Sequence, residues 1–301
     1  MGKIRLSKVF SFLWKILFCA TAFYSGTMIG GIVAGGLGLP APEMPAGADQ
    51  MVIGQMMILV SLILAGCMAI LSRHLSGSFI IRWLTLSFLI WIAYGVNNIL
   101  EGAIFTSMSA ASTFTVVLYM FASLLCGAVV AWLFPSPNND RDFPTQVKGF
   151  IVQHTARSWA WRFLAAFLAF PLIYLAFGRL IAPLVIDTYQ QGLFGLTLPD
   201  WNQILPIVFV RSFLFLIACL PVLILWNGST RGLFLTLGVT LFLLVGGLSM
   251  LQAYWMPATL RVIHSLEILA DEMVYTGFLV ILFARPNQKF EATMANITSP
   301  I

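Results

Sequence analysis

Long apolar stretches, separated by short polar segments, run through almost the whole chain. A helix needs about 20 apolar residues to cross the hydrocarbon core of a bilayer, and the sequence contains eight stretches of this kind. The pattern predicts an all-α integral membrane protein with eight transmembrane helices. The stretches lie at 10–35, 52–72, 80–104, 112–134, 160–183, 203–226, 232–255 and 259–284.

Lysines and arginines concentrate at alternate ends of these stretches. The side of a membrane protein that is rich in Lys and Arg stays in the cytoplasm. We therefore expect a protein of the plasma (inner) membrane with both termini cytoplasmic. The basic residues on the predicted cytoplasmic side are Lys3, Arg5, Lys8, Lys15, Arg73, Arg82, Arg141, Lys148, Arg157, Arg162, Arg231, Arg285 and Lys289, whereas Arg179, Arg211 and Arg261 fall toward the other side.

The composition excludes a soluble domain, because 60% of the residues are hydrophobic and only 9% are charged. The net charge of +5 follows from the topology signal, so no nucleic-acid partner is expected and the lipid bilayer is the expected surrounding. Four cysteines lie in predicted spans without CxxC spacing, which indicates neither a disulfide framework nor a zinc site. HExxH, GxSxG and Walker A motifs are absent, and no cofactor is predicted.

The first apolar stretch shares one property with a secretory signal peptide, because Lys3, Arg5 and Lys8 precede it. Its apolar run, from Ile16 to Leu39, is too long for a signal core. We therefore expect it to remain as a membrane span.

The chain resembles itself when it is shifted by 147 to 149 residues. This predicts two four-helix repeats, at 1–134 and 160–284, joined by a linker at 135–159 and followed by a cytoplasmic tail at 285–301. An even number of spans per repeat gives both the same orientation, related by a pseudo-twofold axis along the membrane normal. The matched residues are Ser11, Trp14, Lys15, Leu17, Ala22, Phe23 and Gly31 with Ser158, Trp161, Arg162, Leu164, Ala169, Phe170 and Gly178, then Arg82, Leu84, Leu86 and Val96 with Arg231, Leu233, Leu235 and Val245, and finally Leu133, Phe134, Pro137 and Asn138 with Leu282, Phe283, Pro286 and Asn287.

The linker places Phe143, Val147, Phe150, Ile151 and His154 at helical spacing. That pattern is typical of a short amphipathic helix on a membrane surface. An ordinary solvated linker fits the same residues equally well.

Small residues recur every four positions in the first span, at Gly26, Gly30 and Ala34. Such spacing lets two helix backbones approach closely. We expect this stripe to pack inside the bundle rather than to form a dimer interface.

Ionisable residues occur where the eighth span should be wholly apolar. His264, Glu267, Asp271 and Tyr275 follow one another at i, i+3, i+7 and i+11, with Glu272 at the edge of the same stripe. Ionisable groups in a bilayer are costly unless they face a partner or water, so the stripe is the first candidate site for binding a ligand or a proton.

The third span carries a second polar patch, at Asn97, Asn98 and Glu101. The two patches are expected to meet, with Arg179, Arg211 and Arg261 as charge partners. A salt-bridged network that only fixes the bundle explains the same residues. A metal site is a weaker alternative, because the set contains a single histidine.

Each part of the candidate site occurs in one repeat and has no counterpart in the other. At the 149-residue shift the stripe of the eighth span corresponds to uncharged residues, and the second patch does too. A lone cluster in a symmetric scaffold favours a ligand site over a structural network. The corresponding residues are Thr115, Leu118, Ala122, Ser123 and Cys126 for the stripe, and Gly246, Gly247 and Met250 for the patch.

Three functional classes fit these features. The first is a secondary transporter of a small solute, in which Asp271 and Glu272 bind a proton or cation. The second is an intramembrane enzyme that acts on a lipid or isoprenoid-like substrate through carboxylate acid/base chemistry. The third is a non-catalytic subunit or assembly factor that meets a partner membrane subunit. Embedded charges lie only in the outer half, which argues against an open channel and favours a pocket that opens outward.

Overall fold

A computed structural model of the chain describes residues 6–43, 47–106, 112–137 and 142–284. The chain is 84% helical and has no strand within the described residues. The all-α class is therefore confirmed. The predicted tail at 285–301 and the basic residues Lys3, Arg5, Arg141, Arg285 and Lys289 lie outside the described residues.

Eight long helices and one short helix make up the described part of the chain. In order they are α1 at Leu6–Gly36, α2 at Gln50–Ser72, α3 at Phe79–Phe105, α4 at Ser112–Leu133, α5 at Phe143–Ile151, α6 at Ala156–Gln190, α7 at Trp201–Leu225, α8 at Thr230–Gln252 and α9 at Ala258–Phe283.

Seven of these helices are long and apolar enough to cross a membrane, which makes the chain a multi-pass membrane protein. They are α1 to α4 and α6 to α8. Helix α9 has 26 residues, which is long enough for a span, but Glu267, Asp271 and Glu272 lie near its middle. Because of these three acidic residues, α9 is not among the seven helices that are apolar enough to cross a membrane.

Hydrogen-bonding side chains mark where several helices begin. Asp49 accepts from the backbone N–H groups of Met51 and Val52 at the start of α2. Asp142, Thr155 and Ser229 cap α5, α6 and α8 in the same way. These caps satisfy backbone donors that have no partner inside the helix.

Helices α3 and α8 each contain a π-helical segment, at Trp91–Val96 and Leu243–Gly247. Each segment interrupts a helix that is otherwise α-helical on both sides. Asn97, which follows the first segment, donates from Nδ2 to the carbonyl of Val245 in the second, over 3.0 Å. The two irregular segments are therefore joined near the centre of the bundle.

The helices pack in two groups with a similar contact pattern. In the first half, α1 packs against α2 and α4, and α3 packs against α4. In the second half, α6 packs against α7 and α9, and α8 packs against α9. Helix α2 meets α8, and α3 meets α7, where the halves join.

One polar contact occurs in both halves. Lys15 Nζ in α1 donates to the carbonyl of Leu133, the last residue of α4, over 3.2 Å. Arg162 in α6 donates to the carbonyl of Leu282, near the end of α9. A basic side chain thus reaches the unpaired carbonyls at the end of the fourth helix in each half.

The turns between α2 and α3 and between α7 and α8 pair with each other. The N–H of Ser76 donates to the carbonyl of Leu225, and the N–H of Asn227 donates to the carbonyl of His74, both over 2.8 Å. These reciprocal bonds hold the halves together at the end of the bundle where α1 and α6 begin. We call this the basic end, because Lys15, Arg73, Arg82, Lys148, Arg157 and Arg231 lie there, and we call the opposite end the cavity end.

Helices α1 and α4 approach each other closely. A Cβ atom on Gly26 would lie 2.6 Å from Cα of Ala122, and one on Gly30 would lie 2.5 Å from the carbonyl oxygen of Leu118. Only glycine fits against backbone at such distances. The predicted packing of Gly26 and Gly30 inside the bundle is confirmed.

The outside of the bundle is apolar. Large hydrophobic side chains such as Phe10, Ile32 and Leu172 are mostly exposed. Exposed apolar surface of this extent is what a lipid environment accommodates.

Candidate functional site

A cavity of about 760 Å³ lies between the two halves at the cavity end. Helices α3, α4, α6, α7, α8 and α9 contribute to its wall. Most of the wall is apolar, and it includes the rings of Phe105, Tyr119, Tyr174, Tyr189 and Trp201. The polar side chains described next interrupt this apolar lining.

Four residues of the predicted stripe on α9 line the cavity: His264, Glu267, Asp271 and Glu272. Asp271 lies at the middle of α9, so the charged groups reach from the cavity end to about half the depth of the bundle. The fifth residue, Tyr275, does not line the cavity. It lies deeper, where its ring packs edge to face against Phe170 with centroids 5.3 Å apart.

Glu101 from α3 and Arg211 from α7 form an ion pair at the cavity wall. Nη2 of Arg211 lies 2.7 Å from Oε1 of Glu101. Nε of Arg211 also donates to Oδ1 of Asn97 over 2.7 Å. Asn97 does not line the cavity and supports the guanidinium from behind, while its own amide reaches the π-helical segment of α8.

Aromatic rings surround the Arg211 guanidinium. Its Cζ lies 4.9 Å from the centre of the Tyr174 ring, 5.3 Å from that of Phe170 and 5.7 Å from that of Phe215. Cations are attracted to ring faces at these distances. Because the side chain is only 2% exposed, the ion pair and the rings together fix its position.

His264 bridges α6 and α9 near the mouth of the cavity. Its Nδ1 lies 2.9 Å from Oε2 of Glu267, and its Nε2 lies 3.1 Å from the hydroxyl of Tyr189. Both ring nitrogens therefore have partners, so the imidazole is held in one orientation.

Asp271 and Glu272 are the buried acids without a basic partner of their own. They are 4% and 1% exposed, and Oδ1 of Asp271 and Oε2 of Glu272 have no hydrogen bond within the described residues. Nη1 of Arg211 is also buried without a partner there, and Arg211 interacts electrostatically with both acids. Unsatisfied buried polar atoms on residues that line a cavity are typical of a ligand-binding site.

The remaining predicted residues differ in their surroundings. Asn98 lines the cavity, and Arg179 lines it from an exposed position. Arg261 does not line the cavity. In the described residues, Arg179 and Arg261 form no ion pair, so Arg211 is the predicted arginine that pairs with an acid.

The contribution of α6 to the cavity wall was not predicted from the sequence. Tyr174, Gly178, Ala182, Val185 and Tyr189 all line the cavity. Their spacing of i, i+4, i+8, i+11 and i+15 marks one face of a helix, and this signal was present in the sequence. The two π-helical segments had no comparable signal.

The lining has an excess of acid. Glu101 and Glu267 each have a basic partner, whereas Asp271 and Glu272 share only the distant influence of Arg211. Two buried carboxylates without counter-charge are costly in a medium of low dielectric constant. The site is therefore suited to bind protons or a cation. Within the described residues, no group of three or more His, Cys, Asp or Glu side chains is arranged to hold a metal ion.

Helix α9 thus combines a charged inner face with its place in an apolar bundle, and this combination defines the site.

Comparison with known proteins found no matching family model, curated protein or solved structure.

Proposed function

We propose that this protein is a secondary transporter of a small solute and that its transport is linked to protons. The observation that carries the proposal is the cavity between the two halves, together with Asp271 and Glu272, two acids without a basic partner of their own that line it at about half the depth of the bundle. Secondary transporters bind substrate and coupling ion near the bilayer midplane, at the interface of their repeats.

The π-helical segments at Trp91–Val96 and Leu243–Gly247 support this proposal. Irregular helix at membrane depth is tolerated where it lines a cavity, and transporters use such breaks at their binding sites. Val245 and Gly246, in the second segment, line this cavity.

Two further predictions belong to this proposal: an eighth membrane span and a repeat of two parallel four-helix units. Support for the span comes from the outer face of α9, where Val262, Leu266, Val274, Phe278 and Ile281 are exposed and apolar. A helix with acids facing inward and an apolar face outward suits a bundle in lipid.

Support for the repeat comes from the contact that Lys15 makes with Leu133 and Arg162 makes with Leu282. The reciprocal pairing of the two turns at the basic end has the same symmetry. Both sets of contacts fit two units of one orientation.

The proposed orientation follows from the distribution of charge. With the basic end in the cytoplasm, both termini are cytoplasmic and the cavity opens to the outside of the plasma (inner) membrane. In the transport cycle the halves rock about their interface, and Asp271 and Glu272 exchange protons for solute.

Reconstitution into liposomes tests this function. The liposomes contain a pH-sensitive dye, and amino acids, sugars and organic amines are added outside in turn. We expect one class of solute to change the internal pH with the wild type and with Asp187→Asn. This control removes a carboxylate from an exposed position of α6 that does not line the cavity.

The same solute should give no pH change with Asp271→Asn. An equal pH change with Asp271→Asn would contradict the assigned role of Asp271. Thermal unfolding of each variant shows whether the protein is folded.

A second candidate function is an intramembrane enzyme that acts on a lipid or isoprenoid-like substrate. The observation that favours it is the His264 imidazole, which is held between Glu267 and Tyr189 as acid/base groups often are. Incubation with lipid and isoprenoid-like substrates, followed by mass spectrometry, separates the candidates. A product that depends on His264, without solute-driven proton movement, would favour the enzyme.

A further inference from the structure

The charge balance of the cavity identifies the sign of its ligand. Arg211 and His264 are already paired with Glu101 and Glu267, over 2.7 Å and 2.9 Å. Asp271 and Glu272 also line the cavity, and each has a buried oxygen without a hydrogen bond within the described residues. Arg179 and Glu43 also line the cavity, from exposed positions, and their charges offset each other. The buried part of the site therefore has an excess of negative charge, and a ligand that supplies a positive charge reduces it.

The unpartnered Nη1 of Arg211 would by itself indicate an anionic ligand. The carboxyl groups on α3 and α9 argue against an anionic ligand, because Glu101, Asp271 and Glu272 all interact electrostatically with this single guanidinium. An anion at Nη1 would add a further negative charge to the same set. A cation beside the two free acids reduces the imbalance.

The wall of the cavity identifies the body of the ligand. Tyr119, Tyr174, Tyr189 and Trp201 contribute ring surface, and Ile181 and Val185 contribute aliphatic surface. Ring faces attract ammonium groups and bury apolar groups. A volume of about 760 Å³ lies within the range of about 300 to 1,000 Å³ that is usual for drug-sized ligands, so an inorganic ion would leave most of it unfilled.

We propose that the cavity binds an organic ammonium ion with an apolar, preferably aromatic, body, whose charged nitrogen lies between Asp271 and Glu272. This inference rests on the proposed transport function and names its substrate class. The ammonium group donates to the unpartnered oxygens of the two acids, and the apolar body lies against the rings of α4 and α6.

Protons and the ammonium ion compete for the two acids in this site. The charged or titratable groups around the pair are Arg211 and Cys219 on α7, Glu101 on α3, Tyr174 on α6, and Glu267 and Tyr275 on α9. Any protons held by the pair in the empty site pass to the buffer when the ammonium ion binds. Binding should therefore strengthen from pH 5 to pH 8, a range in which an alkylammonium with a pKa of about 10.4 stays charged.

Three probes with the same indole body test the sign of the ligand. They are tryptamine, which is a cation, tryptophol, which is neutral, and indole-3-propionate, which is an anion. Methylammonium tests whether the charge alone is enough. Calorimetry on the detergent-purified full chain, in two buffers of different ionisation enthalpy, measures affinity and the protons released.

We expect tryptamine to bind more tightly than the other three probes, with release of protons. Asp271→Asn or Glu272→Gln should weaken this binding roughly 30-fold or more, the usual effect of removing one partner of a buried charge pair. Asp187→Asn should bind like the wild type. The use of two separate site variants keeps the test valid if one of them does not fold.

Equal or tighter binding of tryptophol or indole-3-propionate would overturn the inference and leave the cavity as a ligand site of another kind. Failure of all four probes to bind the folded wild type would overturn it as well. Tight binding of tryptamine that depends on Asp271, without its movement across the liposome membrane, would support the substrate class and contradict the transport function.

Discussion

The two halves of the bundle use corresponding positions in opposite ways. Ala122 in α4 lies against Gly26 of α1, with helix backbones in contact. The position that corresponds to Ala122 at the 149-residue shift is Asp271 in α9, which faces the cavity. The same helix pairing, α1 with α4 and α6 with α9, gives a solid contact in one half and a binding site in the other.

Side-chain size on the first helix of each half accounts for this difference. Gly26 and Gly30 of α1 correspond, at the 147-residue shift, to Ile173 and Phe177 of α6. Glycine lets two helices touch, whereas bulky side chains hold them apart. The separation leaves room for ionisable groups, which a close backbone contact would have excluded.

The largest expected effect comes from the ion pair that Arg211 of the second half forms with Glu101 of the first half, and which has no counterpart at the corresponding positions. Helix α2, which corresponds to α7, has no charged residue. We expect Arg211→Leu to lower the free energy of unfolding by about 2–4 kcal/mol, because it leaves the half-buried carboxylate of Glu101 and the buried amide oxygen of Asn97 without their partner. Denaturation by SDS in mixed micelles measures the change.

A second substitution, Glu101→Gln, should recover part of that loss in the Arg211→Leu background. If the double variant were as unstable as the sum of the single variants, the two side chains would not be coupled. The ion pair would then not account for any difference in stability between the two halves.

A smaller effect on the free energy of unfolding distinguishes the contact of α1 with α4 from the contact of α6 with α9. Gly30→Ala should lower the free energy of unfolding by about 1–3 kcal/mol, because the new Cβ meets backbone. Gly178→Ala, on the corresponding helix α6, places its Cβ 3.5 Å from Oε1 of Glu267, an ordinary contact.

The Gly178 variant should therefore be neutral, or stabilised by up to about 1 kcal/mol through helix propensity. Thermal unfolding in detergent compares the two variants. Equal losses at both positions would contradict the distinction between a closed half and an open half.

The bond between Tyr189 and His264 is a finer feature of the second half. Tyr189→Phe removes the hydroxyl that pairs with Nε2 of His264 and should lower stability by about 0.5–1.5 kcal/mol. The control is Tyr24→Phe in α1, whose hydroxyl has no hydrogen bond among the described residues. NMR of a histidine-labelled sample should also show a change at His264 for the first variant alone; no change there would contradict the bond.

The smallest effect tests what the halves share. Lys15→Met and Arg162→Met each remove a basic group from the end of a fourth helix and should each cost about 0.3–1 kcal/mol. If thermal unfolding shows that the two variants lose similar amounts of stability, this would support the proposed repeat. A loss at one position only would weaken it.

Much of the fold was predictable because lipid imposes a simple rule. Apolar stretches of about 20 residues must form helices that satisfy their own backbone, so the class and most of the helix positions follow from the sequence. The same rule marks His264, Glu267, Asp271 and Glu272 as exceptions, and all four line the cavity.

Pairing between side chains was not predictable in the same way. Three arginines were candidate partners, and the structure pairs Arg211 with Glu101 while Arg179 lies exposed. The partner of a charge depends on which helices are neighbours and how they are rotated. Sequence spacing within a single helix cannot supply that information.

The membrane class, the approximate helices, the charged stripe on α9 and its absence from the first half all follow from the order of the residues, because each depends on local composition and period. Three features became visible only in the folded bundle: α6 forms a wall of the site, the π-helical segments meet at Asn97, and Asp271 and Glu272 have no basic partner of their own. These features depend on distances between helices, which are set by packing over the whole bundle.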